Sequence, residues 1–496
     1  MRMLYTRPPS IGVLDGDPFE SKCESIIVPV FQDDEGKPIL DYVRLYDRNK
    51  LLEDSVKLNI FRGDVGSIFE AIVDGKFVVY VGIGRRSVKE YILLENSRRG
   101  FAAGVKRVAG KFKCIALALS SLSLEAASEA LIASLLASYR LDAFKNSREP
   151  GLEVILVDRS DIDLKTVRAL AEGVYLARDI ANAPPHDVTP AKLAEKISEL
   201  FRELPNTEVE IYDYDRLVRE GFGGIVNVGM GSNEKPVMIV VKYRGSNSKP
   251  IALVGKTVIF DSGGINIKTG ESIFYMRSDK AGGAAVLGVI WAAAKAQLRV
   301  NIAGLVPAVI NVPSGSSYLP GDIIRMWDGT MVEVTNTDAE GRLIIGDAIA
   351  YAAKALEAGE IIDLATLTGA IVVALGPLIA GLFTRDNRLK EKLLEASNKT
   401  GEKLWPMPME DDYKPWLTRS AIIGDMANSG TRVGGAIYGA LFLERYAHGK
   451  PFAHIDIAGP GMGYEAKYIA PPYWPDKDQA PGYGVRLIFQ YLLTTQ

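Results

Sequence analysis

The segment IALVGKTVIFDSGG at residues 251–264 decides the fold class of this chain. It is apolar at most positions up to Phe260, as in a strand buried on both faces, and it ends on an acid and two glycines. Three further runs share this β-branched pattern: VMIVVKY at 237–243, IAGLVPAVI at 302–310 and IIDLATL at 361–367. Ala-rich helical segments at 282–298 and 343–359 lie between them. Buried strands joined by helices predict a mostly parallel central sheet flanked by helices.

The first part of the chain has a similar but smaller pattern. KFVVYVGI at 76–83, CIALALSS at 114–121 and EVILVD at 153–158 are typical of strands. The segment 125–144 has apolar residues at three-to-four spacing, which predicts an amphipathic helix. These elements indicate a second, small α/β domain.

We therefore predict an α/β protein with a small N-terminal α/β domain at 1–160 and a larger C-terminal α/β domain at 184–496. A helical pattern connects them and gives a linker helix at 161–183. Pro184 and Pro185 follow, and they cannot continue that helix.

Composition restricts the classes of function. The chain has 58 basic and 61 acidic residues, a formal net charge of −3, so it lacks the basic surplus of most nucleic-acid-binding proteins. No run approaches the roughly 18 apolar residues of a membrane span. The first residues contain no apolar core of a signal peptide. We expect a cytoplasmic protein without a membrane or nucleic-acid partner.

Cysteine and histidine provide few candidate sites. Cys23 and Cys114 match no disulfide or zinc spacing, and we expect two small buried core residues. The chain has three histidines, none in a zinc-binding pattern, which argues against a histidine-rich zinc site. His454 and Asp456 lie on an apolar run, where a hydrogen-bonded structural histidine is the first interpretation and acid–base chemistry the alternative.

Acidic and basic residues follow the apolar runs, and ligands bind open α/β sheets at the carboxyl ends of strands. Asp261 ends the first run, and Lys268 and Asp279 come shortly after it. A later segment contains an alternating set, which would face one site if the segment were extended: Asp338, Glu340 and Arg342. Clustered carboxylates repel one another, so this pattern indicates divalent metal ions; oxygen ligands suit Mg²⁺ or Mn²⁺, and Zn²⁺ also accepts them.

These residues resemble the leucyl aminopeptidase, or cytosol aminopeptidase, family. NTDAEGRL at 336–343 matches the signature of that family in full. Other similar segments are RDIANAPPHDVTP at 178–190, VGKTVIFDSGGINIK at 254–268, MRSD at 276–279, PSGSSYLPGD at 313–322, DLATLTGA at 363–370 and AHIDIAG at 453–459. The resemblance covers about 178–496, in the order of the family.

The resemblance implies a metal-dependent aminopeptidase that releases leucine-like N-terminal residues from peptides or aminoacyl amides. Two divalent ions per subunit, Mn²⁺ or Zn²⁺ with Mg²⁺ as a further option, would activate a bridging water. The implied metal ligands are Lys256 (as a neutral amine), Asp261, Asp279, Asp338 and Glu340. Lys268 would polarise the scissile carbonyl, and Arg342 would stabilise the oxyanion beside a bicarbonate. The implied substrate-binding residues are Met276, Thr366, Leu367 and Gly369. Family members are hexamers, so we expect a homo-hexamer.

One position departs from the family. Lys280 follows Asp279 where the family usually has methionine, and we expect its side chain to point away from the site along the following helix. Two alternative functions stay open at this stage: another two-metal hydrolase such as a phosphoesterase, and a DNA-binding architectural protein on the same scaffold.

Overall fold

The computed structural model describes residues 6–146, 151–431, 433–464, 466, 468–476 and 478–495. The N-terminal part forms a six-stranded sheet in the order β1-β6-β5-β2-β4-β3, in which every neighbouring pair is parallel except β3–β4. The strands are β1 (Ser10–Leu14), β2 (Ser25–Gln32), β3 (Ile68–Val73), β4 (Lys76–Arg85), β5 (Cys114–Ala118) and β6 (Glu153–Val157). The helices of this part are α1 (Leu51–Lys57), α2 (Glu90–Val108) and α3 (Leu124–Ala137).

The C-terminal part is built on a nine-stranded sheet. Its strands are β7 (Thr207–Tyr212), β8 (Val237–Arg244), β9 (Ile251–Gly255), β10 (Thr257–Asp261), β11 (Asn301–Asn311), β14 (Glu360–Ala365), β15 (Ile379–Phe383), β16 (Lys403–Pro406) and β18 (Phe452–Asp456). Their order is β16-β15-β18-β14-β9-β11-β8-β7, with β10 paired to β11. The pairs formed among β9, β10, β11, β14 and β18 are all parallel. The predicted mixed α/β architecture with a mostly parallel central sheet is confirmed.

Helices cover both faces of this sheet, and a small second sheet contains β12 (Ile323–Arg325), β13 (Met331–Glu333) and β17 (Met426–Ala427). The helices are α4 (Leu164–Asn182), α5 (Pro190–Phe201), α6 (Tyr214–Glu220), α7 (Gly223–Gly229), α8 (Ser272–Tyr275), α9 (Ala281–Ala296), α10 (Gly341–Lys354), α11 (Gly369–Leu375), α12 (Asn387–Thr400), α13 (Pro415–Arg419), α14 (Gly435–Tyr446), α15 (Ala458–Met462) and α16 (Val485–Leu493). Among the described helices, none combines the length and apolar character that crossing a membrane requires.

Helix α4 connects the N-terminal part to the large sheet. Helix α4 packs along α9 and also contacts α3, so its buried side chains join both parts of the chain. Gly173 and Gly288 allow this close packing, because a Cβ at either position would lie 2.3–2.4 Å from the other's backbone oxygen. The linker segment is therefore part of the packed core.

The structure corrects the interpretation of the cysteines. Cys23 and Cys114 are both buried, as expected, but they form a disulfide with a sequence separation of 91 residues. Cys23 precedes β2 and Cys114 begins β5, and these strands are neighbours in the N-terminal sheet. Sequence spacing missed this pair because sheet pairing, not chain distance, brings the two residues together.

Candidate active site

The predicted acidic residues meet at the carboxyl edge of the parallel strands. Lys256 lies between β9 and β10, and Asp261 is the last residue of β10. Gly263 and Gly264 then turn the chain with positive φ angles of 88° and 64°. A Cβ at Gly263 would lie 2.3 Å from a backbone oxygen, so only glycine allows the chain to return and present Lys268 to the site.

A cavity of about 650 Å³ opens at this edge. It is lined by all the predicted site residues except Arg342: Lys256, Asp261, Lys268, Met276, Asp279, Asp338, Glu340, Thr366, Leu367 and Gly369. Residues from distant parts of the sequence therefore share one space. Further lining residues include Thr368, Ala458, Met462 and Tyr464, which extend the walls beyond the predicted set.

Four carboxylates and two lysines form the floor of this cavity. Lys256 Nζ lies 2.9 Å from Asp279 Oδ2 and 2.8 Å from Glu340 Oε1, and its side chain is 4% exposed. Lys268 Nζ lies 2.9 Å from Asp261 Oδ2 and also pairs with Asp338. When all four carboxylates are ionised, the two lysines offset half of their charge and the floor is negative.

The charges on the floor shift the pKa of each lysine. Burial lowers the pKa of Lys256, but the surrounding carboxylates, led by Asp279 and Glu340, outweigh burial and raise it above its ordinary value. The same balance, with Asp261 as the main carboxylate, raises the pKa of Lys268. Burial raises the pKa of Asp279 despite its pairing with Lys256. Each ionised group on the floor thus depends on its oppositely charged neighbours.

Polar side chains outside the predicted set hold the acids in place. Asp261 Oδ1 accepts hydrogen bonds from Gly263 N at 2.9 Å and from Asn311 Nδ2 at 2.8 Å. Asn311 ends β11 and pairs with Asp261 in the parallel register. Asn311 lies at the end of a strand, where ligand sites are expected, but its amide is uncharged and the sequence alone did not mark it as a site residue.

Thr366 connects the loop after β14 to the charged floor. Its carbonyl oxygen accepts from Lys256 Nζ at 2.9 Å, and its Oγ1 donates to Asp279 Oδ1 at 2.6 Å. The loop 366–369 therefore has two roles, because it lines the cavity and also fixes two charged side chains.

The expected extended geometry around Arg342 is wrong. Asp338 lies in a loop, Glu340 is the N-cap residue of α10, and Arg342 lies in the first turn of that helix. The helical turn places Arg342 outside the cavity lining. Its Nη1 donates to the backbone oxygen of Asn428 at 2.8 Å, and its guanidinium carbon lies 5.5 Å from the centre of the Tyr438 ring. Asp338 and Glu340 still converge because the loop, rather than strand alternation, brings them together.

Lys280 lies away from the cavity. Its fully buried Nζ donates to the Ala183 oxygen at 3.1 Å and also to the Arg277 oxygen. Burial, together with the Arg277 charge, lowers the pKa of Lys280 to about 7. The side chain thus links the end of α4 to the short 3-10 helix Met276–Ser278, so the departure leaves the cavity itself open.

The donors of the floor fit divalent metal ions. Asp261, Asp338 and Glu340 each offer one oxygen, and these three atoms lie within 4.8 Å of one another. In the described part of the chain, the buried Glu340 Oε2 has no hydrogen-bond partner. An unsatisfied buried carboxylate oxygen is costly unless a cation accompanies it. The residues present therefore fit a carboxylate-bound divalent ion, with the lysine amines on either side.

Comparisons with known proteins agree with this geometry. Residues 175–489 match the cytosol aminopeptidase family, catalytic domain, and residues 27–148 match the cytosol aminopeptidase family, N-terminal domain. The "Probable cytosol aminopeptidase" of Aeropyrum pernix is 54% identical over 490 residues, covering 99% of this chain and 98% of that protein. The protein of the same description from Syntrophotalea carbinolica is 37% identical, covering 95% of this chain and 97% of its own.

Solved structures give the same result. A mutant of tomato leucine aminopeptidase has a TM-score of 0.84 and 30% identity, covering 99% of this chain and 98% of its own. The bottromycin maturation enzyme BotP in complex with Mn has a TM-score of 0.83 and 28% identity, covering 95% of this chain and 99% of its own.

Fold and site thus define a peptidase hydrolase with a carboxylate-rich centre. The chain belongs to the cytosol aminopeptidase family. Membership supports a metal-dependent aminopeptidase and favours neither a phosphoesterase nor a DNA-binding protein.

Proposed function

We propose that this protein removes leucine-like N-terminal residues from peptides and aminoacyl amides, with two divalent ions held on the cavity floor. The observation that carries the proposal is the convergence of Asp261, Asp338 and Glu340 oxygens within 4.8 Å beside the buried Lys256 and the partly exposed Lys268. The proposed ligands of the two ions are Asp261, Asp279, Asp338, Glu340 and Lys256. Lys256 can coordinate only as the neutral amine, so it would release its proton when the ions bind, since two adjacent cations lower its pKa. When bound, Mn²⁺ or Zn²⁺, with Mg²⁺ as a further option, would supply charge neutralisation and an activated water.

The residues of the chain bind and orient the substrate. Met276 supports an apolar pocket for the first side chain, and the loop 366–369 with Thr366, Leu367 and Gly369 forms the adjoining wall. Lys268 is 18% exposed at the side chain, so it can donate to the scissile carbonyl oxygen. Lys268 would hold the scissile bond of the substrate in a fixed orientation near the floor, and such orientation can lower the reaction barrier by several kcal/mol.

Arg342 has a more distant role in this proposal. Its guanidinium is held by the Asn428 oxygen, and its Nε has no hydrogen-bond partner among the described residues. Arg342 would hold a bicarbonate, which would supply a proton acceptor, and the positive charge of the guanidinium would favour the oxyanion.

We also propose the domain bounds 1–160, 161–183 and 184–496, a homo-hexamer, and a cytoplasmic location. The bounds are supported by the position of the two large sheets, since β6 ends at Val157 and β7 begins at Thr207. Light scattering tests the assembly: a hexamer mass is expected, and a stable active monomer would contradict it.

The decisive experiment compares leucine amide with N-acetyl-leucine amide in the ion-loaded protein. An exopeptidase must recognise the free amine, and acetylation removes its basic lone pair and adds bulk. Leucine amide should be hydrolysed and the acetylated compound should not. Comparable rates on both would indicate a general amidase or an endopeptidase.

Variants connect that activity to the floor. Glu340→Ala should lose at least one bound ion, measured by elemental analysis, and should lose turnover by several orders of magnitude. Glu195→Gln, a change at an exposed residue of α5, is the control and should keep both. Full activity of Glu340→Ala with two ions still bound would overturn the metal-ligand assignment.

A further inference from the structure

A buried carboxylate contacts the wall of the cavity without lining it. Asp456 is the last residue of β18, which pairs in parallel with β14, so it lies next to the start of the loop that leaves β14. The side chain is fully buried. It contacts the loop 366–369 through Leu367 and Thr368, and it is not among the residues that line the cavity.

Asp456 accepts hydrogen bonds from two separate walls. Its Oδ1 accepts from Leu367 N at 3.1 Å and from Ala458 N at 3.2 Å, and its Oδ2 accepts from Thr368 Oγ1 at 2.6 Å. Leu367, Thr368 and Ala458 all line the cavity. One carboxylate thus joins the loop after β14 to the start of α15.

The held loop acts on the charged floor. Thr366 adjoins Leu367, and its oxygen atoms contact Lys256 at 2.9 Å and Asp279 at 2.6 Å. A shift of the loop would move both contacts, although Asp456 touches neither charged residue in these contacts. Hydrogen bonds lose most of their strength when donor and acceptor separate beyond the normal range, so small shifts matter.

A buried carboxylate at this position is unfavourable unless hydrogen bonds stabilise it. Burying an ionised group costs several kcal/mol, and hydrogen bonds must compensate for it. Burial raises the pKa of Asp456, and the donors on the cavity walls act against that shift.

We propose that Asp456 is a positioning residue of the active site. It holds Leu367, Thr368 and Ala458 together, and through Thr366 it fixes the relative placement of Lys256 and Asp279. The expected effect on kcat rests on the proposed peptidase function, whereas the hydrogen bonds by which Asp456 holds the loop do not depend on it.

Asp363 offers a matched control. It is also fully buried, and on β14 it pairs with His454 of β18, two positions before the pair of Ala365 and Asp456. Its Oδ1 lies 2.7 Å from His454 Nδ1, which belongs to the sheet rather than to the cavity walls. Asp363→Asn therefore reports the cost of losing a buried charge without loosening the loop.

Thr368 allows a second, gentler pair of variants. Thr368→Val keeps the shape and removes the hydroxyl that donates to Asp456, whereas Thr368→Ser keeps the hydroxyl. This pair tests the proposal even if Asp456→Asn fails to fold.

The experiment measures kcat and KM for leucine amide, the melting temperature, and hydrogen exchange of the amides in 366–369, all on the full-length ion-loaded protein. Asp456→Asn and Thr368→Val should lower kcat about 10-fold to 10²-fold, as expected for a misplacement near 1 Å, and should speed exchange at Leu367. Thr368→Ser should retain most of the activity. Asp363→Asn should lower the melting temperature while keeping kcat and the slow exchange.

Two results would overturn the positioning role: equal kcat in Asp456→Asn and Asp363→Asn, or unchanged exchange at Leu367 in both Asp456→Asn and Thr368→Val. If the unaltered protein fails to hydrolyse leucine amide, the proposed function is wrong. The exchange measurement still decides in that case whether Asp456 holds the loop.

Discussion

Gly341 is the residue at which added bulk should damage the site with the least damage to the fold. It is the first residue of α10, and a Cβ there would lie 2.7 Å from Lys256 Cε and 2.9 Å from Lys256 Nζ. Ordinary contacts begin near 3.4 Å, so Gly341→Ala requires the end of the Lys256 side chain to move by roughly 0.5–1 Å. The change adds no charge and removes no metal ligand.

The size of the effect follows from how tightly Lys256 is held. Its Nζ has contacts of 2.8–2.9 Å to Glu340, Asp279 and the Thr366 oxygen, and hydrogen bonds become weak beyond about 3.2 Å. A shift of that size breaks at least one contact, and a misplacement near 1 Å can cost about 10²-fold in rate. Alanine is favoured over glycine in helices by up to about 1 kcal/mol, which offsets part of the steric cost.

The assay is therefore a comparison of kcat/KM for leucine amide with the free energy of unfolding. Gly341→Ala should lose about 10²-fold in kcat/KM while its free energy of unfolding changes by less than about 1 kcal/mol. Gly435→Ala is the matched control, since Gly435 also begins a helix and, among the described residues, its Cβ would meet only Ala370, at an ordinary 3.5 Å. Unchanged kcat/KM in Gly341→Ala would refute the reasoning that Lys256 must stay in its observed position.

Three further outcomes are expected. Replacing Cys23 and Cys114 by serine removes a disulfide that joins residues 91 apart in sequence, so the unfolded chain gains conformational freedom. The free energy of unfolding, measured in denaturant, should fall by about 4–5 kcal/mol, and an unchanged midpoint would contradict a stabilising disulfide. Burial raises the pKa of Asp347 to about 7 from 3.8, so its contribution favours folding at low pH and is lost as pH rises from about 4 to 7. The free energy of unfolding of the unaltered protein minus that of Asp347→Asn should therefore fall over this range, and a constant difference would be inconsistent with the shift. Lys268→Ala should keep both ions and lose about 10²–10³ in turnover; loss of ions with normal turnover after re-addition would exclude the carbonyl-polarising role.

The architecture was predictable because strong local signals agreed with one another. The apolar run ending at Phe260 became two strands, β9 and β10, which are interrupted at Lys256. Its three counterparts became β8, β11 and β14 of the same sheet, and the Ala-rich segments became α9 and α10. Strands buried on both faces need apolar residues throughout, so the pattern carried over directly. The small sheet of β12, β13 and β17 was not predicted, because strands of two or three residues leave no periodicity to detect.

The site was predictable only as far as its charged residues. Ten of the proposed site residues line one cavity, because the strand ends, loops and helix starts that contain them meet at one edge of the central sheet. The position of Arg342 was not predictable from alternation, since the start of α10 lies between Asp338 and Arg342. Asn311 and Thr368 gave no sequence signal, because uncharged polar residues are common at the ends of elements. The disulfide was not predicted either, because Cys23 and Cys114 are distant in sequence and meet only through the pairing of β2 with β5.

The two lysines of the floor explain how four carboxylates can be brought together by the fold itself. Two like charges about 4 Å apart repel by roughly 4 kcal/mol at an effective dielectric constant of 20, so an unaccompanied cluster would oppose folding. Lys256 contacts Asp279 and Glu340, and Lys268 contacts Asp261 and Asp338, so every acid has a cationic partner. The pairing is divided between a fully enclosed lysine and one at the edge of the cavity, so the enclosed lysine stabilises the floor while the other remains accessible to substrate. The lysines reduce the repulsion among the carboxylates, which allows the chain to fold. The negative charge that they leave uncompensated can then attract divalent cations.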